Sequence, residues 1–359
     1  MTRSPVLKVA GHALSLGMPL LTPLGIATSA PWLAPFVVFG LFPVLGLVIG
    51  EDRSLLSVEL SRSRIIIWYL HNLPRVYAVV WIAVLVWAAR YAARAALTPS
   101  AYGLLIVSVG IASAIAVCTA HELMHRRSRA DRVLAGLMNA LCLYGHMAVE
   151  HFHHHATVGY SRIGATAPRG MAVYRFALYD LAQGLRNAWS VESTRLRRGN
   201  AHWRDNQVLQ AYALAALLVL AFWLGFGGAG FLVFVGQAAF AVFVFEVITY
   251  VHHYGLVVDE GEIQGPQHAW AHHCWITNCL TFNNTYHSDH HMRPRIPYYQ
   301  LHAMHGVPRL PASYFTMFCI ALVPPLWYWL MNRRLDAIAE ARNGRSDRTA
   351  DSLELQRCR

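Results

Sequence analysis

Apolar residues in this 359-residue chain fall in long runs, rather than in the short periodic stripes that mark helices of a soluble protein. A helix needs about 20 apolar residues to cross the hydrocarbon of a bilayer. The pattern therefore predicts an all-α integral membrane protein with six transmembrane helices. The six runs are 9–28, 31–50, 75–97, 102–120, 207–225 and 229–251.

For two further apolar runs, 133–149 and 312–331, length and composition do not decide whether the run crosses the membrane. Histidines cluster on both sides of the first run, at 121–125 and at 151–155. If that run crossed the bilayer, the two clusters would face opposite sides and could not share one site. We therefore interpret both runs as re-entrant or interfacial helices, covered by protein, which leaves both termini in the cytoplasm.

Composition agrees with this interpretation, since the mean hydropathy is +0.34 and only 14% of the residues are charged. The net charge of +11 comes from arginines that concentrate between the apolar runs, above all in the segment 162–204. Because such charge accumulates on the inner side of a membrane, it predicts a cytoplasmic face rather than a nucleic-acid surface. We expect a membrane-embedded domain at 1–335, a polar cytoplasmic tail at 336–359, and location in the bacterial cytoplasmic membrane.

Nine of the 20 histidines stand in four clusters with helical spacing. "HELMH" places two histidines at i and i+4, and "HFHHH" and "HSDHH" each place three at i, i+3 and i+4. Residues at these spacings lie on one face of a helix. The remaining histidine ends the sixth apolar run. The nine predicted metal ligands are His121, His125, His151, His154, His155, His253, His287, His290 and His291.

Imidazole binds iron, copper, zinc and nickel, so the ligand type alone does not identify the metal. Four ligands satisfy one zinc ion, whereas eight or nine indicate two ions of higher coordination number. The six cysteines form no CxxC pair, which argues against a thiolate site. We predict a cytosolic-side centre of two iron ions that reacts with dioxygen, without a bound organic cofactor.

Two other interpretations explain part of the pattern. "HELMH" matches the HExxH motif of zinc proteases, in which Glu122 would act as the general base, but that function has no use for the other clusters. A metal transporter or storage protein would distribute its ligands along a conduction path. The order of the membrane runs instead places all four clusters on one side.

Three carboxylates neighbour the clusters, namely Glu122, Glu150 and Asp289. A metal-bound imidazole commonly donates its second N–H to a carboxylate, so we predict that these residues support the ligands; ordinary ion pairs with arginine are the alternative. Glu246 lies inside the sixth apolar run, where an ionisable group is functional by default, as a further ligand or a support. Four other histidines keep an open role: His252, His268, His272 and His273.

The four boxes "HELMHR" (121–126), "EHFHHH" (150–155), "HHYGL" (252–256) and "YHSDHH" (286–291) resemble those of the membrane-bound alkane 1-monooxygenases and xylene monooxygenases. The "HYG" box is specific, since desaturases and sterol-type hydroxylases share the other spacings but lack it. The resemblance covers roughly residues 40–335. Two features depart from it: the second box has two residues before its HH pair where three are usual, and His252 stands where glutamate is typical.

The resemblance implies six spans, nine histidine ligands to two irons, and hydroxylation of an alkyl chain with dioxygen. We expect a terminal or benzylic methyl group as the target, reached through the apolar spans. The chain has no reductase motif or four-cysteine iron site, so electrons must come from an external rubredoxin or ferredoxin and its NAD(P)H-dependent reductase, attracted by the arginine-rich face. A fatty-acid desaturase-like or decarboxylating enzyme of the same metal class, which would form an alkene, is the alternative.

Overall fold

The computed structural model describes residues 4–54, 56–160, 165–258, 260 and 262–357, with side chains through Arg342 except Pro5. This part of the chain is helical, apart from two isolated β-bridges. Arg162 of the predicted cytoplasmic segment lies outside it. The helices are α1 (Pro5–Gly11), α2 (Leu14–Ala27), α3 (Leu33–Pro35), a π-helix (Phe36–Leu41), α4 (Phe42–Ile49), α5 (Val58–Arg62), α6 (Arg64–Arg94), α7 (Pro99–Met124), α8 (Arg129–Leu141), α9 (Met147–Thr157), α10 (Val173–Arg198), α11 (Gln207–His253), α12 (Trp275–Leu280), α13 (His287–Met292), α14 (Tyr314–Ala321) and α15 (Pro324–Arg357).

Four helical segments of the described chain are long and apolar enough to cross a membrane. They are Val6–Ala27, which joins α1 and α2, and the helices α6, α7 and α11. The apolar segment Leu33–Ile49 is shorter. These segments confirm the prediction of an all-helical membrane protein.

The long helix α11 reverses direction at Gly227, which has φ 64° and ψ −167°. Positive φ is the region that glycine adopts without steric cost. Phe222 and Phe234 stack across this point with their ring centroids 4.2 Å apart, whereas 12 residues of straight helix would separate them by about 18 Å. The segment therefore consists of two antiparallel helices, 207–226 and 228–253. The glycine-rich sequence "GFGGAG" (225–230), between the fifth and sixth apolar runs, predicts this turn.

Helix α7 is the centre of the bundle and packs between α6 and the second half of α11. Its small residues allow close approach: a Cβ on Gly110 would lie only 2.7 Å from a ring carbon of Phe240. Two hydrogen bonds tie it to α6, from Tyr77 Oη to the backbone oxygen of Ala112 and from Trp81 Nε1 to Ser113 Oγ. This packing buries the carboxyl end of α7, where the first histidine box lies.

Neither of the two ambiguous apolar runs forms one continuous helix. The run 133–149 is divided by a turn at Leu143, which has φ 53° and separates α8 from α9. The run 312–331 is divided between α14 and α15. Helix α15 continues through the predicted domain boundary after residue 335, and Asp336 there pairs with Arg169. The division into a domain and a tail stays a prediction.

Candidate metal centre

The nine histidines of the four boxes meet in one buried region at the ends of α7 and α11 and along α9 and α13. They form two groups, and the ring nitrogens of each group lie within 4.8 Å of one another. Only His155 and His291 are partly exposed. The five-histidine group contains His121, His125, His151, His155 and His290, and the four-histidine group contains His154, His253, His287 and His291.

Helical spacing separates the histidines of each HxxHH box into two sets. In α9, the i,i+4 pair His151 and His155 belongs to the five-histidine group, and His154 between them belongs to the other. The short helix α13 reverses this arrangement, because its i,i+4 pair joins the four-histidine group and His290 joins the five. Residues i+3 and i+4 lie on opposite sides of residue i around the helix, so each HxxHH helix runs between the groups and serves both.

The nitrogen–nitrogen distances fit a metal ion in each group. Nε2 of His155 lies 2.9 Å from Nε2 of His151 and 3.1 Å from that of His290. Because one ring nitrogen of a neutral imidazole either donates one proton or accepts one, it cannot satisfy both neighbours by hydrogen bonding. Two nitrogens that bind one ion at right angles, each at about 2.1 Å, lie about 3.0 Å apart.

The four-histidine group repeats this geometry. Nε2 of His287 lies 3.1 Å from that of His253 and 2.9 Å from that of His291. In the five-histidine group, Nε2 of His121 and of His125 is buried without a hydrogen-bond partner among the described residues. Leaving such an atom unsatisfied costs about 1–3 kcal/mol, whereas a metal ion satisfies it. The donor set therefore suits two metal ions.

The imidazoles are in the protonation state that metal binding requires. Burial lowers the pKa of His155 to about 4, so its ring is neutral at physiological pH. Burial and, to a smaller extent, the nearby carboxylate of Asp180 raise the pKa of Glu150, beside the group, to about 8. The buried surroundings of the centre thus favour the neutral forms of these side chains.

A backbone carbonyl orients one predicted ligand. Nδ1 of His253 donates to the backbone oxygen of His268 at 2.9 Å, which turns Nε2 towards the four-histidine group. Sequence reasoning proposed carboxylates for this task and left His268 open. The ring of His268 instead accepts from the backbone N–H of Gly265.

The three predicted supporting carboxylates lie close to the centre but have other partners. Glu122 pairs with Arg126 at 3.0 Å, and Asp289 pairs with Arg293 at 2.7 Å. Glu150 lines a cavity beside His151. In the described part of the chain, no hydrogen bond joins these carboxylates to the nine rings. Their supporting role stays a prediction.

The "HYG" box has a structural function that its spacing did not reveal. Tyr254 Oη accepts from the backbone N–H of Gly170 and donates to Asn332, both at 2.8 Å. Gly255 has φ 70°, and a Cβ there would lie 2.3 Å from a side-chain carbon of Leu335. Only glycine fits, so the box fastens the turn that follows the ligand His253.

The other residues with open roles do not join either group. The ring of His252 stacks on that of His287, with centroids 4.0 Å apart and planes 8° apart. His273 stacks on Tyr286 at 4.3 Å, and His272 Nε2 lies 3.5 Å from a carboxylate oxygen of Glu51. These histidines position neighbouring side chains.

An apolar cavity of about 80 Å³ leads to the centre from within the bundle. Four of its lining residues follow one stripe of α7, and the same stripe continues into His121 and His125. Helices α11 and α14 close the other sides with Val244, Ile248 and Phe318. The stripe on α7 consists of Ile111, Ala114, Ile115 and Cys118.

A second, polar cavity of about 30 Å³ borders the centre directly. Tyr144, Glu150 and Asp180 line one part of its wall, and four of the nine histidines line another. The two cavities share four lining residues where they meet, namely Phe245, Ile248, His252 and Asn284.

The fold and the paired histidine groups define a class of membrane proteins, and comparison with known families agrees. The fatty acid desaturase family model matches residues 97–321, a range that contains all nine histidines.

Within this class, the curated relatives are hydroxylases. The chain is 33% identical to alkane 1-monooxygenase 2 of Alcanivorax borkumensis, over 86% of this chain and 84% of that protein. It is 30% identical to the alkane 1-monooxygenase of Acinetobacter baylyi, over 92% and 83%. The xylene/toluene monooxygenase hydroxylase component of Pseudomonas putida matches at 33% over 59% and 58%. The chain belongs to the alkane 1-monooxygenase family, which confirms the resemblance seen in its boxes.

Proposed function

We propose that this protein is a diiron monooxygenase that hydroxylates a terminal or benzylic methyl group of a hydrophobic substrate with dioxygen. Membership of the alkane 1-monooxygenase family makes it a membrane oxidoreductase of the hydroxylase type. The observation that carries the finer proposal is that the cavity beside the two histidine groups shares part of its lining with an apolar cavity.

The iron ions would be held by the five-histidine group and the four-histidine group. When bound, they supply the redox chemistry that activates dioxygen against an unactivated C–H bond. The protein's own part is to hold the neutral rings in place and to keep water from the substrate side. The stacking of His252 on His287 serves both tasks, because this ring lies where the two cavities meet.

The apolar cavity would position the alkyl chain. Its lining on α7 extends from Ile111 to Cys118, which is about 10 Å along a helix. An alkyl chain already partitions into the bilayer and needs only a dry path to the metals. This cavity favours a linear alkyl chain that approaches the centre with its end first.

We also propose six membrane spans, in which the hairpin at Gly227 counts as two and Leu33–Ile49 as one. The carboxyl ends of α7 and α11 meet at the centre and therefore lie on one side of the membrane. Arg127, Arg129 and Arg132 are exposed just beyond α7, so the positive-inside bias makes this side cytoplasmic.

The electron donor would be a small acidic rubredoxin or ferredoxin, reduced by an NAD(P)H-dependent reductase. Exposed arginines near the centre would attract it. Phe152 marks the point of closest approach, because its side chain is 53% exposed and its ring packs edge-on against His125, with centroids 5.3 Å apart.

Product analysis tests this function. Membranes that contain the full chain would receive a rubredoxin system, NADH and one of four substrates: octane, dodecane, toluene or a fatty acid. We expect the primary alcohol, or benzyl alcohol from toluene, with one oxygen atom from labelled dioxygen. An alkene or an unsaturated acid would instead favour desaturation, the function that the matched family model names.

Metal analysis of the same preparation tests the centre. We expect about two irons per chain, as two groups of this coordination capacity require. His290→Ala should remove iron and turnover together, whereas His305→Ala, at an exposed position outside both groups, should leave both unchanged. A preparation that holds mainly zinc, or a His290→Ala variant that keeps its turnover, would overturn the diiron proposal.

A further inference from the structure

Three polar side chains from separate elements meet beside the metal centre without belonging to either histidine group. Tyr144 lies in the turn after α8, Asp180 in α10 and Glu246 in the second half of α11. Tyr144 Oη donates to Glu246 Oε1 at 2.7 Å. The carboxyl groups of Glu246 and Asp180 are close enough to interact with each other.

A hydrogen bond between two carboxyl groups requires a proton, because two ionised carboxylates have only acceptors. Glu246 is 1% exposed, and its Oε2 accepts no other donor among the described residues. Two neighbouring carboxyl groups cannot both stay ionised in a buried site. The Asp180–Glu246 pair therefore shares one proton. Burial raises the pKa of Asp180, which favours a protonated form of the pair.

The pair is connected to the metal centre through the polar cavity. Tyr144 and Asp180 line this cavity, and His121, His151 and His154 line it too. A cavity of about 30 Å³ holds about two water molecules, since each needs about 10–15 Å³ and two to four polar partners. This gives a continuous polar path from the carboxyl pair to the histidines.

The path also has an outer end. Asp180 is only half-buried, and its neighbours Tyr179 and Arg175 on α10 are exposed. Glu246, one step further in, is fully buried. The apolar cavity offers no comparable path, because most of its lining on α7, α11 and α14 is apolar.

We propose that Asp180, Glu246 and Tyr144 form a proton-delivery site for the reduction of dioxygen at the metal centre. The proposal rests on the proposed monooxygenase function, in which RH, O₂, two electrons and two protons give ROH and H₂O. The C–H bond and the O–O bond break; one oxygen atom forms the C–O–H group and the other leaves as water. The electrons come from the external iron–sulfur or rubredoxin-type protein, and the protons come from water through the carboxyl pair.

Kinetics of the intact, iron-loaded chain in membranes test this role. We expect Asp180→Asn and Glu246→Gln to keep their iron but to lose at least about 10-fold in turnover, since one positioned proton-transfer group contributes 10²–10⁴-fold. Their solvent deuterium isotope effect should exceed that of the wild type, because proton transfer becomes rate-limiting. Tyr144→Phe should show a smaller change of the same kind.

Two further variants separate proton delivery from a structural role. Asp180→Glu keeps the carboxyl group and should recover most of the turnover. Asp336→Asn, which removes an exposed carboxylate paired with Arg169, should change neither the rate nor the isotope effect. Variants that hydroxylate at the wild-type rate with an unchanged isotope effect would overturn the proposal. So would loss of iron in every variant, Asp180→Glu included, since it would make the pair structural.

Infrared spectroscopy of the metal-free protein gives an independent readout. The shared proton should produce a protonated-carboxyl C=O band that shifts in D₂O, that is lost or displaced in Glu246→Gln, and that persists in Asp336→Asn. Absence of this band would overturn the shared proton and the delivery role with it. A chain that shows the band but forms no alcohol would overturn the proposed function, and the delivery role that depends on it.

Discussion

The two cavities of this protein adjoin each other beside the metal centre but have opposite chemistry. The apolar cavity is lined by side chains such as Ile111, Val244 and Phe318, and the polar cavity by Tyr144 and Asp180. Burial of an alkyl chain in the first gains about 25 cal/mol for each Å² removed from water, whereas protons move only where polar groups or water accept them. On our proposals, substrate and protons therefore arrive through different cavities, which adjoin each other at residues such as His252 beside the metals.

One helix separates these routes. In α11, Val244 and Ile248 lie one turn apart and face the apolar cavity. Glu246 lies midway between them in sequence, which places it about 200° around the helix, on the opposite side. The same periodicity that builds the HxxHH boxes thus also keeps a buried carboxyl group away from the substrate.

The largest effect is expected at the metal centre itself. His155→Ala removes the ring whose Nε2 lies within 3.1 Å of two other ligand nitrogens. As for His290→Ala, we expect loss of iron together with a loss of turnover beyond about 100-fold, since even a partner of a ligand contributes 10–100-fold. Metal analysis and alcohol formation measure this. The control is His153→Ala on the same helix, outside both groups; equal losses in both variants would contradict the assignment.

Filling the apolar cavity should affect substrate and leave the metals in place. Ala114→Phe adds a ring to a space of about 80 Å³, and overpacking of this kind costs about 1–3 kcal/mol. We expect hydroxylation of dodecane to fall about 10-fold or more, with normal iron content. Gly103→Leu, near the other end of α7 and open to its surroundings, is the control. Unchanged dodecane turnover in Ala114→Phe would show that the chain enters elsewhere.

Joining the two cavities should give a smaller effect. His252→Ala removes the ring that borders both cavities and stacks on His287 at 4.0 Å. Such a stack contributes about 0.5–1.5 kcal/mol, so we expect a several-fold loss of alcohol formed per O₂ consumed, with iron retained. Peroxide release measured beside product would account for the missing oxygen. His272 borders neither cavity, so His272→Ala should form as much alcohol per O₂ consumed as the wild type.

The smallest effect is expected at a carboxylate remote from both cavities. Burial alone would raise the pKa of Asp131. The hydrogen bond from Arg75, at 2.6 Å, and the charges of Arg126 and Arg75 together outweigh burial and hold the pKa below the usual 3.8. This pair therefore stabilises the fold fully above about pH 5 and loses its effect as the pH falls through the lowered pKa.

Thermal unfolding in detergent measures this contribution. Asp131→Asn should destabilise the protein by about 1–3 kcal/mol at pH 7, and the difference from the wild type should shrink as the pH falls below about 4. Turnover in membranes at pH 7 should change little. A difference that grows at low pH would contradict the assigned sign.

Periodicity and composition were enough to predict that the chain is helical and which histidines come together. The nine histidines chosen from their spacing are the nine that meet in two groups, because residues at i, i+3 and i+4 share a helix face wherever that helix lies. The apolar runs likewise predicted the membrane helices, and "GFGGAG" predicted the turn at Gly227. Span number, the site's supporting carboxylates and the identity of the metal stay predictions.

Only the tertiary structure decided how these parts are combined. It assigned His154 and His290 to groups different from those of the i,i+4 pair in the same helix. It also brought Tyr144 to Glu246 across 102 positions of sequence. It also placed Asp180, which no motif had marked, in the wall of the polar cavity. Helical periodicity is a local property that the chain carries in every segment, whereas contacts between distant segments depend on which faces pack together, and packing is a property of the whole bundle.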